Sequence, residues 1–167
     1  MTLYDALEVH IELDGASVVA GRAQFHRNRS RLSSTTFQYD RRYLEHVDSY
    51  QLDPALPLVS GTQQAPGLPG AFADSASHRW GRSLITKRER ALARQESRRP
   101  RTFDDADFLA RVSDATRQGA IRYRAGSCPV DPFLDPGHEV QQLIYLPELL
   151  HAADVAGATT EPASSKQ

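Results

Sequence analysis

Leu7-Glu8-Val9-His10-Ile11-Glu12-Leu13, followed by Asp14-Gly15, decides the fold class of this chain. Apolar and polar residues alternate without a break, which is the period of a strand with one buried face. Asp-Gly then supplies two residues that tolerate positive φ, as a two-residue hairpin turn requires. Val18 to Phe25 returns as a second, less regular strand that Gly21 is expected to weaken. His26-Arg27-Asn28-Arg29-Ser30 reads as a polar turn, and the β-branched and aromatic run Thr35-Thr36-Phe37-Gln38-Tyr39 as a third strand. The three make an antiparallel meander with one face toward a core.

Asp40 to Tyr50 allows a short turn of helix. Leu52 to Val59 carries Pro54 and Pro57, so it reads as an extended edge segment or a loop. Gly61 to Gly70, with three Gly and two Pro, reads as a linker. A helix is predicted from Asp74 or Ser75 to Arg99 at the latest, ahead of Pro100. At about 100° per residue, Trp80, Leu84, Ile85, Ala91 and Leu92 share an arc expected to face the core, with Trp80 as a packing anchor. Arg79, Arg82, Lys87, Arg90 and Arg94 fall on the other side, and Arg88 alone intrudes on the apolar arc. A second helix is predicted to open on Thr102-x-x-Asp105, to carry an apolar stripe of Phe108, Leu109, Val112 and Ala115, and to stop at Gly119.

Ile121-Arg122-Tyr123-Arg124 alternates again and is expected to rejoin the sheet. Gly126 to Gly137 is a Pro-rich loop holding Cys128, Leu143 to Leu146 reads as an extended piece, and Pro147-Glu148 suits the first turn of a helix reaching Val155. The predicted fold class is therefore α+β: a small antiparallel sheet with two to three packed helices and a disordered C-terminal tail. Its organisation is expected to be an antiparallel β part over 1–60, a Gly/Pro linker over 61–70, a helical part with the returning strand over 71–156, and the tail over 157–167.

Composition narrows the function. The 167 residues carry 20 Lys and Arg against 21 Asp and Glu, and hydrophobic residues make up 40%. A single Cys excludes an internal disulfide framework and a cysteine zinc cluster. No apolar run approaches the ~20 residues of a membrane span. The N-terminus lacks the pattern of a secretory signal. A soluble, cytoplasmic protein is expected.

The near-neutral total conceals a polarised distribution. Arg79 to Arg101 holds nine basic residues and only two acids, Glu89 and Glu96. Such a patch attracts phosphates, an acidic partner or the chain's own acidic remainder. Lys87, Arg90, Arg94 and Arg98 are its candidate contact residues. The six His, at 10, 26, 46, 78, 138 and 151, show no i, i+3 or i+4 pairing, so none reads as a metal ligand. Cys128 reads as an inert thiol. Asp104, Asp105 and Asp107 suit a helix N-terminus better than a metal. The sequence contains no G-x-G-x-x-G, no G-x-x-x-x-G-K-[ST] and no G-x-S-x-G. Neither a cofactor nor a metal is expected on this chain alone.

Leu68-Pro69-Gly70-Ala71-Phe72-Ala73-Asp74-Ser75, continuing through Arg79-Trp80-Gly81-Arg82-Ser83-Leu84, resembles the signature in the N-terminal region of HipA-type serine/threonine kinases, the toxins of bacterial toxin–antitoxin modules. Gly119 to Tyr123 is similar to the short strand that follows there, and the Asp14-Gly15 hairpin, Phe37-x-Tyr39-Asp40 and Leu56-Pro57-Leu58 also fit. Leu146 to Asp154 resembles the helix leading toward the kinase body. The resemblance implies a mixed N-terminal unit ahead of an α-rich kinase domain that uses ATP and magnesium. It also implies a helix-turn-helix antitoxin as partner, and in some family systems the N-terminal piece is a separate small protein that restrains the kinase. Asp74, Arg79, Trp80, Gly81 and Arg82 become the candidate interface residues.

After the Leu149 helix the family pattern calls for a Ser-containing, Gly-rich nucleotide loop. Here the sequence reads Pro162-Ala163-Ser164-Ser165-Lys166-Gln167, and Ser164 and Ser165 are candidate remnants of that loop's serines. No catalytic or magnesium-binding position carries over. The expectation is an interaction or regulatory segment that docks on a kinase core or an antitoxin and is inactive alone, with ATP and magnesium entering only through a separate kinase core. Contact with DNA is expected to be indirect at most. The alternatives are a nucleic-acid-associated protein using the basic helix 79–101, or a non-functional remnant of a truncated toxin.

Overall fold

The computed structural model describes residues 4–126 and 132–134. Cys128, His138, His151, the extended piece at Leu143–Leu146, the helix expected from Pro147, the tail from Gly157, and Ser164 and Ser165 lie outside the described residues. β1 (Ala6–Leu13) and β2 (Ala16–Asn28) form the expected hairpin, and Asp14 and Gly15 both take positive φ, 48° and 75°. β2 runs on to Asn28, so the turn expected over 26–30 contracts to Arg29 and Ser30, at φ 48° and 66°. It leads into β3 (Arg31–Tyr39).

Two further strands complete an antiparallel sheet in the order β4-β3-β2-β1-β5. β4 (Thr62–Pro66) corrects the expected linker: it pairs with β3 as an edge strand, placing Ala65 opposite Thr35. Pro66 is tolerated because it sits at the end of that edge. β5 (Ile121–Arg124) returns beside β1, as its alternation requires. Gly21 proves to be needed rather than weakening. A Cβ there would stand 2.3 Å from the Gln38 carbonyl oxygen and 2.6 Å from Cζ of Phe37, so only glycine lets β2 and β3 approach this closely.

Leu7, Val9, Ile11, Phe37 and Tyr123 belong to the buried core. Its centre is Phe72 of α2 (Gly70–Asp74), packed edge-on against Phe37 and Tyr123 with ring centroids 5.8 Å from each. The preceding loop is pinned by α1 (Arg41–Leu44) and by Tyr39. The Tyr39 hydroxyl donates to the Leu56 carbonyl at 2.8 Å and accepts from the Leu52 N–H at 3.0 Å. Pro69 offers α2 no side-chain cap, and the buried carboxylate of Asp53 substitutes by accepting from the Ala71 N–H at 2.7 Å.

The predicted continuous helix from Asp74 or Ser75 is broken. Ser75 is buried, and its hydroxyl bonds both the Phe72 carbonyl and the Tyr123 hydroxyl, which anchors the chain to β5 and ends α2. α3 (Arg79–Gln95) starts afresh after His78. α4 (Asp105–Ala110) is capped by Asp104 rather than Thr102, through reciprocal bonds between Asp104 and Asp107. It also stops well before Gly119. Arg117 donates to the carbonyls of Leu109 and Val112, acceptors that further helix would have used, and to that of Ser75 at the end of α2. A short 3-10 turn, Asp114–Thr116, follows, and Gly119 serves the turn into β5 at φ 87°. Arg27 ties the far end of β2 to the α4 cap, 2.7 Å from the Asp104 carboxylate and 3.6 Å from that of Asp107. Burial pushes the Asp107 carboxyl above the ordinary carboxylate range, against the pull of its bond from the Asp104 N–H.

On the other face of the sheet His10 is buried at 2% exposure, 2.7 Å from the Glu8 carboxylate and edge-on to Phe133 at 5.1 Å. Burial lowers its pKa below 6.5. Glu8 opposes that shift, while Arg124 and Arg122 add to it. The unfolded chain therefore binds the extra proton first, so the neutral His10 contribution is complete above pH 6.5 and is lost as pH falls toward the lower folded value. Urea unfolding between pH 7.5 and 5 is expected to show falling stability, with a shallower fall in His10→Gln. An equal fall in that variant would contradict the assignment.

Candidate interaction surface

α3 does not bury the arc that its apolar residues define. Trp80 is 69% exposed and Leu84 is 40% exposed, while the buried positions of the helix are Glu89 and Ala93. Ile85 and Leu92 are half-buried, and Ala91 is exposed. The expectation of Trp80 as a core anchor is thus corrected, for a physical reason. Phe72, Leu109 and Tyr123 already fill the sheet's inner face, and α3 supplies no residue to that core cluster.

What holds α3 is largely polar. Arg82 donates to the Ser77 carbonyl at 3.0 Å and to the Asp105 carboxylate at 2.6 Å, with its guanidinium 4.9 Å from the Phe108 ring centre. At the far end, Glu89 accepts from the Arg101 N–H at 2.8 Å and from the Arg98 guanidinium. Arg98 bonds Glu96 as well. The Arg98 contact, helped by the Arg101 N–H, holds the Glu89 carboxyl below its ordinary range against the opposing effect of burial. Arg82 and Arg98 are therefore structural cations, and Arg98 leaves the expected basic patch.

Arg79, Lys87, Arg90 and Arg94 remain. All four are exposed and make no hydrogen bond or ion pair among the described residues. At helical spacing they lie alongside Trp80, Leu84 and Ala91 on the outward face. The result is an apolar ridge rimmed by free positive charge. Gly81 is half-buried, and a Cβ there would meet Ser77 at 3.4 Å, so this glycine sits against the turn that starts the helix.

Asp74 lies elsewhere, on the wall of a cleft of about 350 Å³ between the end of α2, the Tyr50–Leu52 loop and the approach to β5. His78, the residue before α3, is 3.0 Å from Gln118 on the cleft's rim. The cleft and the start of the ridge are therefore neighbours. The chain's repertoire for other chemistry is thin. Among the described residues no group of three His, Cys, Asp or Glu could hold a metal ion, and no helix is long and apolar enough to cross a membrane.

A sheet of this order, a short α2 seated on it and a detached basic helix define a domain class, and comparison supplies its family. The chain belongs to the HipA N-terminal domain family, whose model matches residues 18–124. That span runs from β2 through β5 and takes in the cleft's α2 wall and all of α3. The chain matches no curated protein and no solved structure.

Sequence reasoning gave Trp80 the wrong surroundings, a core in place of an exposed face. It missed the cleft altogether, because Tyr50, Asp74 and Ala120 meet only through the sheet's closure by β5.

Proposed function

We propose that this HipA N-terminal domain is a protein-docking module of a toxin–antitoxin system, binding a HipA-like kinase core or a helix-turn-helix antitoxin through the outer face of α3. The observation that carries this reading is Trp80, a tryptophan 69% exposed beside Leu84 on a helix that the core does not use. Large exposed aromatics flanked by Arg are the usual anchors of protein interfaces. Free Arg79, Lys87, Arg90 and Arg94 favour an acidic surface around the partner's apolar pocket. The domain transfers no phosphoryl group itself, and ATP and magnesium belong to the kinase core.

A second reading, direct binding of nucleic acid, draws on the same four unpaired cations. One experiment separates the two. Binding of a purified kinase core and of duplex DNA is measured over a salt series for the native chain and for Arg90→Ala/Arg94→Ala. The docking reading expects saturable protein binding, with only the weak DNA affinity, about 10⁻⁴–10⁻⁶ M, of any basic surface. Tight DNA binding whose salt slope drops by nearly one unit per removed arginine, without protein binding, would overturn it.

A further inference from the structure

We propose that the cleft beside α2 is a socket for one arginine side chain of the docked protein. The inference deepens the docking reading, on which the owner of that arginine depends. The cleft holds about 350 Å³, enough for a side chain and at the small end of ligand sites. Ile11, Leu52 and Ile121, all at or below 9% exposure, give it an apolar floor.

Its polar equipment has one sign. Among the described residues that line it, Asp74 is the only carboxylate and there is no Lys, Arg or His. The Asp74 carboxylate is exposed and has no hydrogen-bond or ion-pair partner among the described residues. Tyr50 also lines the cleft, and its hydroxyl has no hydrogen-bond partner among the described residues.

An anion finds no counter-charge among the described lining residues. A metal ion needs several oxygen ligands, and one carboxylate does not supply them. The complement is a cation on an apolar stem. Arginine fits best: its methylenes lie along the floor, its planar fork meets the carboxylate through two N–H donors, and its face stacks on the phenol ring.

The test uses the full chain and small probes. N-acetyl-arginine methylamide is titrated against the isotope-labelled protein, beside the citrulline analogue, which has the same shape without the charge. Saturable shifts at Tyr50, Asp74 and Ala120 are expected at millimolar concentration, with citrulline about fivefold weaker or worse. Asp74→Asn, whose amide spectrum elsewhere should stay native, is expected to reduce arginine binding to the citrulline level. Citrulline binding as tightly as arginine, unchanged binding by Asp74→Asn, or no shifts at all would overturn the proposal. Trp80→Ala should leave these shifts intact, so a failed socket and a failed docking face give different results.

Discussion

Replacing Phe72 by alanine is expected to destabilise the domain by about 3–5 kcal/mol, measured from urea unfolding midpoints. Phe72 has no exposed surface and sits edge-on between Phe37 and Tyr123. Truncation removes an aromatic side chain and leaves a void. Neither neighbour can readily move into that void: the Phe37 ring lies over Gly21, and the Tyr123 hydroxyl is bonded to Ser75 at 2.8 Å. A loss of this size is a large share of the roughly 5–15 kcal/mol by which such domains are stable. The same change unseats α2, so the Asp53 cap and the cleft should be lost with it. A cost below about 1 kcal/mol would mean that α2 is not the plug of this core.

Trp80→Ala is expected to do the opposite. Its effect on stability should stay within about 0.5 kcal/mol, the range of exposed substitutions. Its effect on docking should be large, about 2–4 kcal/mol or roughly 30- to 1000-fold in affinity, as for a buried interfacial anchor. The contrast depends on α3 being held by Arg82, Glu89 and Arg98 instead of by its apolar arc. Calorimetric titration with a kinase core, beside unfolding of the same samples, checks both halves. A variant that unfolds easily yet binds normally would reverse the account.

These two aromatic residues also mark how far the sequence could be read. The sheet was legible, because strict alternation in Leu7–Leu13 and Ile121–Arg124 sets the apolar residues of each strand on one face, and Asp14-Gly15 suits a tight turn. β4 was not, since Gly61, Pro66 and Gly67 mask a strand whose existence depends on Thr35 and Phe37 across the gap. Helix ends differ from the sequence expectation where side-chain bonds decide them: Ser75 to Tyr123 at the end of α2, and Arg117 to the Leu109 and Val112 carbonyls at the end of α4.

Trp80 is the most instructive case. Periodicity shows that Trp80, Leu84 and Ala91 share a face, but it does not say what the face meets. A docking stripe and a core stripe have the same spacing. Only the occupancy of the sheet's inner surface by Phe72, Leu109 and Tyr123 separates them. The basic patch was likewise legible as composition. Its division into structural cations, Arg82 and Arg98, and free ones, Arg79, Lys87, Arg90 and Arg94, depends on where Asp105, Glu89 and Glu96 fall in space.

The most direct measurement uses the fact that Trp80 is the only tryptophan in the chain, so intrinsic fluorescence reports this one site. In the free domain the emission should resemble that of water-exposed indole and be strongly quenched by iodide, which the surrounding cations attract. On saturation with a kinase core it should shift to the blue and lose its sensitivity to iodide. Blue, unquenchable emission from the free domain, or emission that a bound core leaves unchanged, would contradict a docking face on α3.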